Sequence, residues 1–352
     1  MISPIRTVVV GYGFAGRSFH AYLVGLEPRL ALHGIVARSE VAQEKVRARA
    51  DVQSGECRLY TDFDDVLNDD DVELVVIATP NDSHAPLAIA ALEAGKNVVV
   101  DKPMCLSLDE CDRMIAAARN NNRLLSVFHN RRWDGDFLTA RQLQRDGALG
   151  EVRWIEMAWQ KFGPCGGWRG KGEAGGGRFY DLGAHLLDQL LLFFPHRITG
   201  VYARLHHEFA DMDTETEAII MVHFEDEAGN RYTGTCDMSS RCAIPKPRFL
   251  LHGSNATFCK FGIDPQEAAM IDGDIDAAQS DPTIDGRLSD GTTESVIPTQ
   301  PGRWRSYYEN IAATLQGEAE LAVRPEQTRR VMAVFEAARQ SADSDQVVST
   351  SI

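Results

Sequence analysis

The stretch Val8–Gly16, with the sequence VVVGYGFAG, restricts the possible folds of this chain more than any other. The β-branched run Thr7–Val10 predicts a buried strand, and a helix is expected over Arg17–Gly25. Between them, the first glycine of GxGxxG permits a tight bend, the second lets the backbone approach a pyrophosphate, and the third lets helix pack close to strand. A helix N-terminus also favours bound phosphate. The stretch therefore predicts a dinucleotide-binding turn whose contacts are Gly11, Gly13, Phe14, Ala15 and Gly16.

Strand and helix signals then alternate as far as residue 128. Further strands are predicted over Leu30–Val36, Leu59–Tyr60, Glu73–Ala78, Asn97–Val100 and Leu124–Phe128. Helices are predicted between them, over Glu40–Ala50, Asp64–Leu67, Ser83–Ala94 and Leu108–Asn121. Strands separated by such helices form a parallel, doubly wound sheet, so residues 1–129 are expected to form an N-terminal α/β Rossmann domain. Ligands of such a sheet bind beyond the carboxyl ends of its strands.

The residues after the second strand bear on which nucleotide binds. An NAD enzyme usually has an acidic residue there for the ribose hydroxyl, whereas this chain has Arg38 and Ser39. A guanidinium and a hydroxyl suit a 2′-phosphate, which favours NADP over NAD. In the alternative, Arg38 is a solvated loop residue and Glu40 contacts the ribose.

Two more loops follow strands at the same edge of the predicted sheet. The predicted cofactor contacts in these loops, and one further along the chain, are Thr79, Pro80, Asn81, His84, Asp101, Lys102 and Asn130. Lys102 lies between an acidic residue and a proline at the carboxyl edge of the sheet. This position favours a functional lysine over the alternative, a surface lysine paired with Asp101.

The chain changes character near residue 130, and residues 130–352 are predicted to form a second domain. After a helix that ends near Arg145, strands are predicted over Glu151–Lys161, Ile198–His206, Thr214–Phe224, Arg231–Asp237, Arg248–Gly253 and Thr257–Phe261. These largely sequential strands predict an open, mostly antiparallel sheet in an α/β domain. Residues 264–303, rich in Asp, Gly and Pro, are expected to have little regular structure. The glycine-rich residues 163–177 form either a loop that closes over a substrate or a flexible surface excursion.

One apolar helix in this second half, Tyr180–Phe194, retains a polar stripe. At about 100° per residue, Asp181, His185 and Asp188 fall opposite a broad apolar arc. In one interpretation Asp181 caps the helix and His185 is a core histidine with satisfied hydrogen bonds. In a second, the stripe binds a metal, although no further ligand is evident. In the third, which the residues favour, the stripe performs acid–base chemistry in a cleft.

Oxidation of an alcohol needs groups of this kind. Histidine suits the base that accepts the hydroxyl proton, because its reference pKa of about 6.5 is near working pH. A carboxylate can orient the substrate hydroxyl or the imidazole, and a lysine cation can stabilise a developing alkoxide. The predicted catalytic set is therefore Lys102, Asp181 and His185, in an active site expected between the two domains.

Together these residues resemble the glucose–fructose oxidoreductase/inositol dehydrogenase (Gfo/Idh/MocA) family over essentially the whole chain. The motifs that carry the resemblance are GYGFAG at 11–16, ATPNDSH at 78–84, DKP at 101–103 and GGRFYDLGAH at 176–185. The resemblance implies a Rossmann domain, a second α/β domain with an open sheet, and oxidation of a ring hydroxyl on a sugar or cyclitol. It also implies the catalytic set Lys102, Asp181 and His185. Asp101 departs from the glutamate that is usual in the family.

Two further motifs, HNRRWDGDF at 129–137 and KFGIDPQE at 260–267, are similar to a branch that contains NADP-dependent scyllo-inositol dehydrogenases. The resemblance also implies a homodimer or homotetramer, because the open face of the second sheet is commonly buried against another subunit. Two other functions occur in the family: an NAD-dependent glycoside hydrolase that uses transient oxidation, and a non-catalytic regulator that senses nucleotide or sugar. The presence of all three catalytic residues argues against the regulator.

Composition narrows the expected partners and compartment. The formal net charge of −15 argues against nucleic acid and anionic membrane surfaces, which attract basic proteins. No apolar run reaches the ~20 residues of a membrane span, and a strand predicted within the first few residues leaves no room for a secretion signal. Seven scattered cysteines, without a CxxC pair or a metal-type cluster, indicate reduced thiols, a cytoplasmic protein and no metal site.

Overall fold

The computed structural model describes residues 3–352, so residues 1 and 2 of the predicted first domain lie outside the described residues. The chain divides into two compact units. The first comprises the chain as far as His129 together with Arg305–Arg329, and the second comprises Asn130–Trp304 together with Arg330–Ile352. The predicted second domain runs unbroken from 130 to 352, whereas the structure groups Arg305–Arg329 with the first unit.

Six strands form the sheet of the first unit: β1 (Ile5–Val10), β2 (Leu30–Val36), β3 (Arg58–Tyr60), β4 (Leu74–Ile77), β5 (Asn97–Val100) and β6 (Leu125–Val127). Their order across the sheet is β3-β2-β1-β4-β5-β6, and all neighbours are parallel. The predicted doubly wound Rossmann sheet is confirmed. The strand order reverses between β1 and β4, and such a switch point is where a ligand crevice forms.

The second unit contains nine strands: β7 (Val152–Gln160), β8 (Arg197–His206), β9 (Glu217–Glu225), β10 (Arg231–Ser239), β11 (Phe249–Gly253), β12 (Thr257–Lys260), β13 (Gly286–Ser289), β14 (Glu294–Ile297) and β15 (Val348–Ser349). Their order is β14-β13-β12-β11-β7-β10-β9-β8-β15. Among the pairings of this second sheet within the described residues, only β7–β10 is parallel. The predicted mostly antiparallel sheet is confirmed, with one parallel pair inside it.

The described residues also form the α-helices α1 (Tyr22–Leu26), α2 (Glu40–Arg47), α3 (Ala50–Gln53), α4 (Phe63–Leu67), α5 (His84–Glu93), α6 (Leu108–Asn120), α7 (Gly135–Arg145), α8 (Arg178–Phe193), α9 (Gln266–Ile271), α10 (Arg305–Leu315) and α11 (Pro325–Ser344). A π-helical segment, Gly16–Ala21, leads directly into α1. Every residue of α8 is buried except Asp181 and Leu192. Leu190 of α8 packs directly on the backbone of β10, where a Cβ added to Gly234 would lie 2.3 Å from its Cδ1.

The expectation of little regular structure over residues 264–303 is wrong. This segment contains α9 and the hairpin of β13 and β14, which extends the second sheet through pairing of β13 with β12. The Asp and Gly residues that suggested a loop form the hairpin turn, where the Asp290 carboxylate accepts the backbone N–H groups of Thr292 and Thr293. The turn composition was visible in the sequence, but the short flanking strands are defined by their neighbours in the sheet.

Helix α10 belongs to the first unit because its aromatic residues are buried there. Tyr307 and Tyr308 are 1% and 0% exposed. The Tyr307 hydroxyl donates to Ser126 Oγ at 3.0 Å, and its ring lies edge-on to Phe128 with centroids 4.9 Å apart. The chain therefore returns to the first unit after strand β14 of the second sheet. The local sequence pattern of α10 does not specify this return, because it depends on contacts with distant residues.

Candidate active site

The glycine turn after β1 has the close contacts that a dinucleotide-binding turn requires. Gly11 adopts φ +95°, and a Cβ there would lie 2.6 Å from the Ala78 carbonyl oxygen. A Cβ on Gly16 would lie only 1.9 Å from the Gly11 carbonyl oxygen, so the helix can approach the strand only with glycine at this position. Gly13 is exposed, and a Cβ there would meet nothing within 4 Å. The turn thus leaves the Gly13 backbone open to a phosphate, and its residues fit a dinucleotide.

The two side chains within this turn differ in exposure. Phe14 is 43% exposed and lies edge-on to Phe19 with ring centroids 5.2 Å apart. Ala15 is half-buried and directly precedes the π-helical segment. Single π-helical turns often occur at functional sites, which agrees with the predicted role of this turn.

The loop after β2 presents Arg38 and Ser39 at the same edge of the sheet, and both are exposed. The Ser39 hydroxyl oxygen accepts the backbone N–H of Ala42 at 3.3 Å and so caps α2. Glu40, the alternative ribose contact, pairs with Arg47 at 3.4 Å. An exposed guanidinium beside a helix N-terminus is a suitable environment for a phosphate.

His84 joins the loops that follow β4 and β5. It is fully buried, with Nδ1 2.8 Å from the Pro103 carbonyl oxygen and Nε2 3.0 Å from the Thr79 carbonyl oxygen. Within the first of these loops, Thr79 is half-buried, Pro80 is exposed and Asn81 is buried in a short 3₁₀ turn. Since both ring nitrogens of His84 face backbone carbonyls, its position explains how the loops are held, and direct contact with a cofactor stays a prediction.

Asp101 directly follows β5 and belongs to a polar network of the first unit. Its Oδ1 accepts the backbone N–H of Lys102 at 2.8 Å, and its Oδ2 lies 3.5 Å from His20 Nε2. His20 Nδ1 in turn lies 2.7 Å from the Tyr308 hydroxyl. Burial alone would raise the pKa of the Asp101 carboxyl, but the hydrogen bond and charge of His20, together with Lys102, lower that pKa to about 2. Asp101 is therefore a carboxylate beside Lys102, which is half-buried.

Helix α8 in the second unit carries Asp181, His185 and Asp188, but the three side chains have different surroundings. His185 is 6% exposed, and its ring centroid lies 5.5 Å from that of Trp159. Asp188 is 3% exposed and accepts two hydrogen bonds from Arg132, at 2.6 and 2.8 Å. The predicted stripe is thus divided between a buried ion pair at Asp188 and the pair Asp181 and His185.

Asp181 pairs with two arginines. Its Oδ1 lies 3.3 Å from Arg169 Nε, and its Oδ2 lies 3.8 Å from Arg178 Nη1. Because α8 begins at Arg178 and the Asp181 N–H donates to the Gly177 carbonyl at 3.0 Å, Asp181 lies inside the first turn and is not the helix cap. Both guanidinium groups therefore lie within ion-pair distance of this carboxylate.

The glycine-rich loop of residues 163–177, left undecided by the sequence, is fixed by hydrogen bonds. The Gly177 N–H donates to the Arg169 carbonyl at 2.8 Å, and the Gly172 N–H donates to Asp213 Oδ1 at 2.7 Å. Arg178 Nη2 donates to the carbonyls of Lys161 and Gly163 at the start of the loop. The loop therefore holds Arg169 against Asp181.

Asn130 starts a 3₁₀ turn, Asn130–Trp133, in the second unit and is 3% exposed. Arg132 of the same turn makes the ion pair with Asp188, so the turn is joined to α8 one helical turn beyond His185. Sequence reasoning missed this use of Arg132, as well as the contacts of Arg169 and Trp159. The run Arg131-Arg132-Trp133 and the central place of Arg169 in its loop were visible signals, but neither shows which acid is the partner.

The structure thus groups the predicted residues within each unit. The turns after β1, β2, β4 and β5 lie at the carboxyl edge of the first sheet, and Asn130, Asp181 and His185 belong to the second unit. Lys102 belongs to the first unit, and its joint action with Asp181 and His185 stays a prediction. Within residues 3–352 there is no group of three or more His, Cys, Asp or Glu suited to a metal ion. None of the described helices is long and apolar enough to span a membrane.

Comparison with known proteins gives a family for both halves of the chain. The family described as “Oxidoreductase family, NAD-binding Rossmann fold” matches residues 5–129, and the “GFO/IDH/MocA C-terminal domain” matches residues 137–259. The chain is 36% identical to “Uncharacterized oxidoreductase YdgJ” of Escherichia coli (strain K12), over 97% of each chain.

Two further similarities cover almost the full length. The chain is 30% identical to “scyllo-inositol 2-dehydrogenase (NADP(+)) IolW” of Bacillus subtilis (strain 168), over 99% of this chain and 96% of that protein. The solved structure of yvaA from Bacillus subtilis superposes with a TM-score of 0.90 at 28% identity, over 99% of both chains. Both the fold and the chain length agree with those of these proteins.

We expect Gly16→Ala to weaken nucleotide binding, because its Cβ would lie 1.9 Å from the Gly11 carbonyl oxygen and would force the turn open. Overpacking of this kind costs about 1–3 kcal/mol, so NADPH and NADH affinity should fall by about tenfold or more. Fluorescence titration with each nucleotide measures the change. The matched control is Gly25→Ala in α1, where a Cβ meets nothing within 4 Å and binding should be retained. Wild-type affinity in Gly16→Ala would contradict the predicted turn.

Proposed function

Because the chain belongs to the GFO/IDH/MocA family of oxidoreductases, we propose that it transfers a hydride between NADP(H) and a ring hydroxyl or ketone of a cyclitol or sugar resembling scyllo-inositol. The observation that carries the proposal is His185, held on the buried helix α8 one turn from Asp181, which Arg169 holds at 3.3 Å. This is an acid–base group beside a fixed carboxylate in a chain that also has an NAD(P)-binding Rossmann domain. The name of the 30%-identical relative, a scyllo-inositol 2-dehydrogenase (NADP(+)), supports the substrate class.

In the proposed mechanism, His185 accepts the proton of the substrate hydroxyl, and the C–O bond gains double-bond character as the C–H bond breaks. The bound nicotinamide supplies a hydride acceptor for that carbon. The Lys102 ammonium stabilises negative charge that develops on the oxygen, and the Asp181 carboxylate accepts a hydrogen bond from a substrate hydroxyl. Arg169 and Arg178 pair with Asp181 and orient its carboxylate. In the reverse direction His185 returns the proton to the ketone oxygen.

The proposed cofactor is NADP, with NAD as the possible alternative. Exposed Arg38 and the Ser39 hydroxyl, at the N-terminus of α2, provide a cation and a hydrogen-bond donor for a 2′-phosphate. Glu40 faces Arg47. The remaining proposed cofactor contacts are the glycine turn, the loop Thr79–His84, Asp101, Lys102 and Asn130. The proposal includes a cytoplasmic homodimer or homotetramer that acts on small molecules and binds neither nucleic acid nor membrane.

A substrate panel tests the proposal directly. Inositols, common hexoses and common pentoses are each incubated with the purified protein and NADP or NAD. Formation of the reduced nicotinamide is followed by its absorbance at ~340 nm. We expect NADP reduction with at least one cyclitol or sugar. No change with any member of the panel, in either direction of the reaction, would contradict the proposed function.

His185→Ala should lower turnover of the preferred panel substrate by roughly 10²–10⁴-fold, the usual effect of losing a positioned acid–base group. Its affinity for NADPH, measured by fluorescence titration, should be nearly unchanged. The control is His252→Ala, because His252 lies on β11 and is 41% exposed beside Glu156. Turnover of His185→Ala within about threefold of wild type would remove His185 from the mechanism.

Arg38→Asp should move the preference from NADP toward NAD, because it replaces a cation with an anion where the 2′-phosphate is expected. The ratio of kcat/KM for the two nucleotides measures the change. A charge-matched control is Arg113→Asp, since Arg113 is 59% exposed on α6 and pairs with Asp109 one turn earlier on the same helix. An unchanged ratio in Arg38→Asp would show that other residues recognise the phosphate.

A further inference from the structure

Apart from Asn130, a proposed cofactor contact, the motifs HNRRWDGDF and KFGIDPQE have no part in the mechanism above. The structure brings charged residues of both motifs close to the Trp159 ring, which packs on His185. Arg131 of the first motif has its guanidinium carbon 4.5 Å from the ring centre of Trp159 and 5.1 Å from that of Trp304. The Trp159 and His185 rings have centroids 5.5 Å apart and an interplanar angle of 36°. His185, Trp159, Arg131 and Trp304 therefore form a continuous stack inside the second unit, here called the tryptophan stack.

The cation in the tryptophan stack is held from several directions. Arg131 Nη1 donates to Asp134 Oδ2 at 3.2 Å, and its Nη2 pairs with Glu267 of the second motif. Asp134 is fully buried, and its Oδ1 accepts the Trp304 Nε1–H at 2.7 Å. A guanidinium removed from water interacts more strongly with an aromatic face than an exposed one. The two motifs thus fix Arg131 against Trp159, whose ring centre also lies 5.0 Å from the Arg248 guanidinium carbon and 5.7 Å from Lys161 Nζ.

A second link connects the same arginine to the helix that carries His185. Gln189 of α8 is fully buried, and its Nε2 donates to the Arg131 carbonyl oxygen at 2.7 Å. Its Oε1 accepts a hydrogen bond from Arg248 Nη2 at 2.7 Å. Because residues four apart are neighbours on a helix surface, this contact lies one turn beyond His185. The stack and the Gln189 bond therefore restrain both the imidazole and its backbone.

Trp159 also lies close in sequence to the loop that contacts Asp181. It is the second-last residue of β7, a few residues before the glycine-rich loop that holds Arg169 against Asp181. Only 8% of Trp159 is exposed, so its ring contacts other residues of the unit and hardly any solvent. We propose that Trp159 is a positioning residue for His185, and that Arg131 holds Trp159 in the required orientation. This inference rests on the proposed function of His185 as the acid–base group.

The orienting contact and its catalytic effect can be measured separately. In protein labelled on histidine, the ring current of Trp159 should displace the His185 imidazole signals, which are assigned by their loss in His185→Gln. Trp159→Leu should move those signals toward the values of an unstacked histidine, and Trp159→Phe should retain most of the displacement. The matched control is Tyr232→Leu, which removes the aromatic ring stacked on another histidine of the second unit, His196, at a centroid distance of 4.6 Å. That control should leave the His185 signals in place.

Kinetics with NADP and the preferred panel substrate complete the test. Trp159→Leu should lower kcat by about 10–100-fold, as expected for a misplaced reacting group, with KM and the NADPH dissociation constant within about threefold of wild type. Trp159→Phe should recover most of kcat, and Tyr232→Leu should retain it. A purely structural role for Trp159 would instead lower the melting temperature without this separation of kcat from KM.

The possible failures are distinguishable. Unchanged His185 signals in Trp159→Leu, or a kcat within about threefold of wild type in a folded variant, would overturn the positioning role. If wild-type protein oxidises no member of the panel, the proposed function fails, and the His185 signals still decide whether Trp159 orients the ring.

Discussion

The buried ion pair between Arg132 and Asp188 is the interaction on which the rest of the second unit's site depends. Arg132 is 8% exposed and Asp188 3%, and the two hydrogen bonds between them are 2.6 and 2.8 Å long. Removing one partner of such a pair costs about 3–5 kcal/mol, because the other charge is left without compensation away from water. The pair is also directional, since a guanidinium can donate two parallel hydrogen bonds to one carboxylate in few orientations. The ion pair therefore fixes both the orientation of the Asn130–Trp133 turn relative to α8 and its position along the helix.

Two further arginines contact the surroundings of the polar residues of α8. The turn brings Arg131 to the tryptophan stack beside His185, and the glycine-rich loop brings Arg169 to Asp181. In the proposed site, His185 packs on Trp159, which Arg131 contacts, and Asp181 pairs with Arg169 from outside the helix. A helix that is buried on nearly all sides can carry polar catalytic groups only if such partners satisfy them, because an isolated buried charge is strongly unfavourable. The many arginines around α8 are therefore part of the site, although the chain as a whole is acidic.

Much of the architecture was predictable from local pattern. The six parallel strands of the first unit, the glycine turn and α8 are each encoded by contiguous residues whose spacing matches a strand, a turn or a helix. The catalytic and cofactor candidates were found because they follow strands or share one helix face. Residues 264–303 were misjudged because β13 and β14 are four residues each and gain their structure from the sheet that they extend. The place of α10 in the first unit was missed for a similar reason, since its tyrosines are buried against distant residues.

The sequence by itself determined the dinucleotide-binding turn, the parallel sheet around it and the helical neighbourhood of Asp181 and His185, because each depends on backbone preferences and side-chain periodicity over short stretches. Only the tertiary structure decided which charges meet. Arg132 and Asp188 are 56 positions apart, and Arg131 and Glu267 are 136 apart. A sequence with 36 basic and 51 acidic residues offers a very large number of such pairs. Folding selects among them because a charge can be buried only where the backbone brings an opposite charge within hydrogen-bonding distance.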